Sequence, residues 1–265
     1  MLALGSRRYG LAAVVLILAG ACTHASPGPE TPRWVDLTHP FDETTIYWPT
    51  SKPFALSTVH KGPAGGGYWY EANNFEAAEH GGTHIDAPVH FAKDRWAVDA
   101  IPLDRLIAPG IRVDVSGRVQ DNADYLISRA DFIEWEARHG RIEAGSIVLV
   151  RTGWEARWPD KKRYLGTDTT GDTANLHFPG FHEDAARFLT QERNVAAVGL
   201  DTASLDFGQS TEFKAHRVFG AANVPGFENL TQLGTLPVRG FRVIALPMKI
   251  GGGSGAPLRI IAEIP

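Results

Sequence analysis

Apolar and polar residues alternate along residues 33–39, a period of two that predicts a β-strand. Residues 45–49 (Thr-Ile-Tyr-Trp-Pro) are apolar and aromatic and end in a breaker. Two strand-like runs follow at 55–60 and 68–77, joined by a glycine-rich stretch, 62–67, that reads as a flexible hairpin loop. That stretch lacks the helix and lysine of a phosphate cradle. Further strands are predicted at 110–115, 146–151, 195–200, 241–247 and 258–264, the last two joined by a hairpin loop at 251–255. The run 146–151 carries four consecutive aliphatic residues, three of them β-branched, so it fits a central strand buried on both faces. Helical periodicity is confined to two stretches. In 128–139 Ser128 caps an apolar stripe of Phe132, Ile133 and Trp135; in 183–192 Ala185, Ala186, Phe188 and Leu189 form the buried side. Residues 91–107 read as a loop and a turn of helix, 201–206 as a loop at a strand's end, and 159–175 as a polar surface excursion. Many strands, few helices and glycine-rich connections predict an α+β domain with a barrel-like mixed sheet core.

Composition narrows this picture without redirecting it. The chain has 265 residues, 43% hydrophobic and 21% charged, enough for one globular domain with a substantial core. The net charge is −4 and no basic run exceeds Lys161-Lys162-Arg163, so nucleic acid is not an expected partner. Residues 1–22 read as an export signal: Arg7 and Arg8 form the charged region, 11–18 the apolar stretch, and Ala19-Gly20-Ala21 the cleavage site. The apolar run is too short to span a membrane. It ends at Cys22, the only cysteine, so no disulfide can form within the chain. The order Leu18-Ala19-Gly20-Ala21-Cys22 resembles a bacterial lipobox, with Ala19 where leucine is usual. The resemblance implies lipidation at Cys22 and a periplasmic protein that meets the membrane only through that anchor. The other reading, a secretory signal with an incidental cysteine, also exports the chain. Residues 23–32, with three prolines and a glycine, form a flexible tether and leave 33–265 as the folded domain.

The chemistry concentrates in one place. His80, His84, Asp86 and His90 fall within eleven residues. Gly81 and Gly82 disfavour a helix, so His80 belongs to a loop that runs into a short strand. His84 and Asp86, two apart, share one face of that strand. Pro88 stops the ladder and turns His90 back toward the same spot. Two imidazoles and a carboxylate suit a divalent metal of borderline preference, zinc or manganese, and three protein ligands leave a position open for water. A polar turn bonded to its own backbone is the plainer reading, but it suits a lone histidine better than four ligand-type residues at this density.

The string His80-Gly-Gly-Thr83-His84-Ile-Asp86-Ala-Pro88-Val-His90 resembles the signature H-x-G-T-H-x-D-x-P-x-H of the metal-dependent cyclase-type hydrolases. Bacterial kynurenine formamidase and isatin hydrolase belong to that family. The resemblance covers roughly residues 33–265. It implies a swivelling β/β/α fold and a homo-oligomer, a dimer or tetramer. It also implies a second half of the site at His216 and Glu228-Asn229-Leu230. In two-metal members these two residues hold the second ion and Asp86 bridges; in the one-metal branch they line the pocket. The sequence leaves both open.

Phe91 and Trp96 beside the ligands are the aromatic residues placed to sandwich a flat substrate, and His39, Tyr47 and Trp48 are candidates for the pocket mouth, with Trp48 among the expected substrate-binding residues. Burial in the core is the plainer role for any one of them. Arg151, at the end of a predicted strand, stands where binding residues often sit. The mechanism expected is attack of metal-activated water on an amide carbonyl, with His90 carrying the proton to the leaving nitrogen. The substrate expected is a small aromatic or cyclic amide, an isatin-like lactam or an aryl formamide. Metal-assisted cyclisation or elimination uses the same ligands and stays open. So does a non-catalytic periplasmic lipoprotein that binds metal or a small ligand, although such a protein has no use for His90.

Overall fold

Seven strands of this chain close into a ring, and residues His84–Asp86 of the histidine-rich signature form one of them. The computed structural model describes Leu2 and residues 32–120 and 122–265. The expected export signal, Cys22 and the expected tether up to Thr31 lie outside the described residues. In chain order the strands are β1 Arg33–Asp36, β2 Ala55–Pro63, β3 Trp69–Glu76, β4 His84–Asp86, β5 Ile107–Asp114, β6 Leu126–Ile127, β7 Ile147–Arg151, β8 Gly180–Phe181, β9 Ala197–Leu200, β10 Gly226–Glu228, β11 Phe241–Pro247 and β12 Gly255–Ile264. The α-helices are α1 Leu103–Leu106, α2 Ser116–Val119, α3 Arg129–His139, α4 Lys161–Leu165, α5 Glu183–Arg187 and α6 Lys214–Ala221. Among the described residues no helix is long and apolar enough to cross a membrane.

The ring runs β12-β11-β5-β7-β9-β10-β4 and returns to β12. β5, β7, β9 and β10 are parallel neighbours; the other pairings are antiparallel. β12 closes it by dividing one edge: Gly255–Pro257 pair with β4, and Ile261–Ile264 pair with β1. A closed sheet has an inside and an outside, and alternate residues go to each. The inner set draws on all seven strands: Ile85, Ala108, Ile147, Leu149, Ala197, Phe227, Val243, Ala245, Ala256 and Ile260. The outer set, including Val148, Val150, Val198 and Leu200, packs against Phe132, Phe181, Phe188 and Phe219 in the helical layer. This is the α+β, barrel-like architecture expected from the pattern of strands.

α3 begins where expected, with the Asp131 carboxylate accepting from the backbone N and Oγ of Ser128 at 2.7 and 3.0 Å. Residues 159–175 differ from expectation. They carry α4, whose Tyr164 and Leu165 are fully buried. Two adjacent apolar residues flanked by charge are too short a signal to register as a period. The helix expected over 183–192 is regular only to Arg187; Phe188–Glu192 form a single π turn, where Thr190 Oγ1 donates to the Ala186 carbonyl at 2.8 Å. α6, unanticipated, turns Ala215, His216, Phe219 and Gly220 toward the interior.

β2 and β3 form a hairpin apart from the ring. Its residues are exposed on both faces, with Leu56, Trp69, Tyr70 and Phe75 among them and Tyr68 beside them. Its root is aromatic: Phe54 stacks on Phe75 and meets Phe41 edge-on.

Candidate metal centre

The register of β4 against β10 builds the site. Ile85 lies opposite Phe227, and both enter the ring. The residues on either side therefore face outward: His84 opposite Glu228, and Asp86 opposite Gly226. α6 brings His216 onto the same spot from the helical layer, and the loop before β4 brings His80. Two triads result, His80–His84–Asp86 and Asp86–His216–Glu228, each with its donor atoms within 4.8 Å of one another and sharing Asp86. Backbone geometry at two glycines makes this approach possible. Gly82 adopts φ +57°, and a Cβ there would stand 2.6 Å from Phe41. At Gly255 a Cβ would stand 2.5 Å from the His80 ring.

Counting protons identifies the donor nitrogens. The Ser254 hydroxyl donates to Glu79 Oε2 at 2.6 Å, so it accepts from His80 Nε2–H at 3.0 Å. His80 then presents its Nδ1 lone pair, 2.7 Å from Asp86 Oδ1. His84 Nδ1–H donates to the Gly82 carbonyl at 3.0 Å. Its Nε2 is buried 3.2 Å from Asp86 Oδ1 and 3.4 Å from Glu228 Oε2, yet aligned with no hydrogen-bond partner. His216 Nδ1–H donates to Asp206 Oδ2 at 2.6 Å, leaving Nε2 facing Asp86 at 3.1 Å and Glu228 at 3.3 Å. Each distal nitrogen is thus pinned, and three lone pairs converge on two carboxylates. Acceptors facing acceptors require a cation between them: protons in the metal-free protein, or a divalent ion for which this donor set is suited.

The electrostatics follow. Burial opposes the charge on His84 and His216. At His84 the neighbouring Asp86 and Glu228 carboxylates outweigh burial and raise it. At His216 the carboxylates of Asp206, Asp86 and Glu228 hold it well above the usual histidine range. Burial would raise Asp86 too, but three imidazoles hold it well below the carboxylate range. Glu228, pushed by burial and by the Asp86 charge, rises. His90 differs. It belongs to neither triad and stacks on His80 with ring centroids 3.8 Å apart. Burial first, then the neighbouring imidazoles, lower it to about 4, so it is a neutral base at pH 7.

A cavity of about 250 Å³ opens over the cluster. Trp48, Tyr47, Phe91 and Phe213 form its apolar walls, and Ser51 and Ser204 add hydroxyls. Trp48 and Phe91 thus stand where the sequence reading put them. Trp96 does not reach it: the ring packs against the ring-interior cluster, with Arg105 above it at 5.8 Å. Arg151 also points elsewhere, to Asp114 at 3.0 Å and Ser116 Oγ at 2.7 Å, so its charge is neutralised away from the cavity. His39 stacks on Trp158 at 4.1 Å, outside the cavity. A wider groove of about 690 Å³ between α5 and α6 shares only Phe91 with the site and contains none of the ligand set. Glu79, Ser254 and Asp206 escaped the sequence reading. Only Glu79, adjacent to His80, carried a local signal.

Comparison with known proteins places the chain in a family. The family model named Cyclase matches residues 35–207. An isatin hydrolase from Roseibium aggregatum is 35% identical over 208 residues, covering 75% of this chain and 77% of the relative. A kynurenine formamidase from Salinibacter ruber is 30% identical over 188 residues, covering 69% and 74%. A solved isatin hydrolase bound to the product analogue thioisatinate superposes with a TM-score of 0.81 at 30% identity, covering 88% of this chain and 93% of that one.

Loading a divalent ion displaces the protons held by His84 and His216. Both are raised in the metal-free protein, so proton competition persists above the ordinary histidine value of about 6.5. Apparent affinity for Zn²⁺, measured by chelator competition, is therefore expected to keep rising with pH beyond about 6.5. A plateau beginning there would show that these imidazoles are already unprotonated.

Proposed function

The chain belongs to the cyclase family of metal-dependent hydrolases, and from that membership we propose that it opens a small, planar cyclic amide of the isatin type. It is a metal-dependent amide hydrolase. The observation that carries the substrate reading is the cavity: about 250 Å³, walled by Trp48, Phe91 and Phe213, over a buried His/Asp/Glu cluster. That volume lies just below the ~300 Å³ at which sites for drug-sized ligands begin, so it suits one compact ring system.

His80, His84 and Asp86 would hold the catalytic ion, and His216 and Glu228 with Asp86 would hold a second where one is bound. Zinc and manganese both suit imidazole and carboxylate donors. The ion supplies Lewis acidity, which polarises a carbonyl and acidifies water. The protein's own groups do the rest. The aromatic walls orient the ring and exclude bulk water. His90, neutral and beside the ligands, takes the proton from the attacking water and returns it to the leaving nitrogen. The amide nitrogen leaves as a neutral amine, the carbonyl carbon becomes a carboxylate, and the second proton of the water is released to solvent.

Turnover of isatin, N-formylkynurenine and simple aryl formamides, with and without chelator, tests this reading alongside metal analysis. Chelator-sensitive ring opening of isatin is expected, with one or two equivalents of metal. Turnover of the formamides alone would move the substrate class. His90→Ala is expected to keep its metal and lose about 10²–10⁴-fold in rate. Metal and activity vanishing together would make His90 a ligand.

Two further readings rest on the outer features. We propose a homo-oligomer joined through the β2–β3 hairpin, because an isolated two-stranded hairpin is marginal alone and this one exposes Leu56, Trp69, Tyr70 and Phe75. Sedimentation should give a dimer or tetramer that Trp69→Ser with Phe75→Ser dissociates; a monomeric wild type at micromolar concentration sinks the idea. We also propose a periplasmic lipoprotein anchored at Cys22, on the sequence of residues 1–22. Cys22→Ser should then shift the protein from the membrane to the soluble fraction, and an unchanged distribution would count against lipidation.

A further inference from the structure

The Gly82 carbonyl accepts two hydrogen bonds, and the second has no evident part in the fold of its own loop. His84 Nδ1 reaches it at 3.0 Å and Asn229 Nδ2 at 2.7 Å. Asn229 follows Glu228 directly, is 3% exposed, and sits in the left-handed region at φ 54°. Its backbone is also committed: N donates to the Thr202 carbonyl at 2.9 Å, and O accepts from Thr83 Oγ1 at 2.7 Å. The residue therefore braces the end of β10 against the loop that precedes β4.

An amide can present either end. What decides the direction here is the Gly82 carbonyl, which can only accept; Oδ1 is then left facing the Tyr164 hydroxyl, which stands 2.9 Å from it and 3.0 Å from the Asp201 carbonyl. Tyr164 is fully buried on α4, in the segment whose composition predicted a surface excursion. A phenol has one proton to give, and both of its neighbours here are acceptors. Turning the amide over would place Oδ1 against the Gly82 carbonyl, two acceptors 2.7 Å apart with no proton between them. Hydrogen-bond direction is thus continuous. Tyr164 shares its one proton between Asn229 Oδ1 and the Asp201 carbonyl, and Asn229 donates to Gly82. The Gly82 carbonyl, held in place, accepts from His84 Nδ1.

We propose that Tyr164 and Asn229 are positioning residues that fix His84 in its Nδ1–H tautomer and aim its Nε2 at the metal. Neither belongs to either ligand triad. Tyr164 does not line the cavity, so its influence runs only through this chain of donors. The inference rests on the metal-centre reading and adds to it a control outside the ligand set. Outer partners of ligating histidines typically alter metal affinity by about 10–100-fold.

The test uses the full-length protein, stripped with chelator and titrated with Zn²⁺ alone by calorimetry. Tyr164→Phe, which keeps the volume, is expected to weaken binding about 10-fold, and Asn229→Asp, which sets a carboxylate against a carbonyl, about 100-fold. A merely structural role would lower the melting temperature of the metal-free protein and leave the dissociation constant unchanged; that result overturns the proposal. Nitrogen-15 imidazole spectra of the zinc-loaded wild type supply a readout that needs no variant. His84 is expected with its proton on Nδ1, and a proton on Nε2 overturns the assignment whether or not the variants fold. Failure of the wild type to bind Zn²⁺ would strike the metal-centre reading instead, so the two failures are distinguishable.

Discussion

The metal centre depends on one pairing, β4 against β10, three residues facing three. Ile85 and Phe227 are both fully buried, and they meet across this pair inside the ring. Because side chains alternate, that single apolar contact sends His84, Asp86 and Glu228 to the opposite surface together. A slip of one residue would drive ionisable groups into a hydrocarbon interior and turn Ile85 outward, so the hydrophobic core is what holds the ligands in register. α6 then has only to deliver His216 to a face already defined.

That face gathers more buried charge than a protein tolerates without compensation. Asp86, Glu228 and Asp206 are all at most 5% exposed. Isolated, each would cost several kcal/mol to desolvate. Imidazoles compensate them, and each imidazole is backed by a different acceptor. His216 has a carboxylate behind it, His84 a backbone carbonyl, and His80 a hydroxyl leaning on Glu79. Donor strength should follow that order of polarity, so the ligands are not equivalent even though all are histidines. His90 stays outside the set, and burial with the neighbouring imidazoles outweighs the Asp86 charge and keeps it unprotonated, free to exchange a proton during a reaction.

Much of this was legible in the sequence, for reasons that can be located. The strand alternation around Ile85 and the glycines before it announced a loop-then-strand presentation of His80, His84 and Asp86. The aliphatic run at β7 announced a buried parallel strand. His216 and Glu228 were reached only through the family signature, because nothing near them in the chain marks a ligand; three-dimensional closure alone brings them to Asp86. Trp96 and Arg151 show the limit from the other side. Both sit at suggestive positions in the order of the chain, yet one is drawn into the core by its area and the other is claimed by Asp114. Tyr164 was lost in a polar stretch because one buried side chain among many charged ones leaves no period to read.

Ring closure has a consequence in time. His84 pairs with Pro257, and His80 leans on Ser254, partners more than half the chain away. A growing chain that has released only the signature has neither β10 nor β12 to receive it. Its histidines are then loose ligands on an unpaired segment. Such distant contacts are slow to form, since the loop entropy must be overcome before any packing rewards it. Whichever compartment the strand from Gly255 onward folds in is therefore the compartment whose metal the site will meet first.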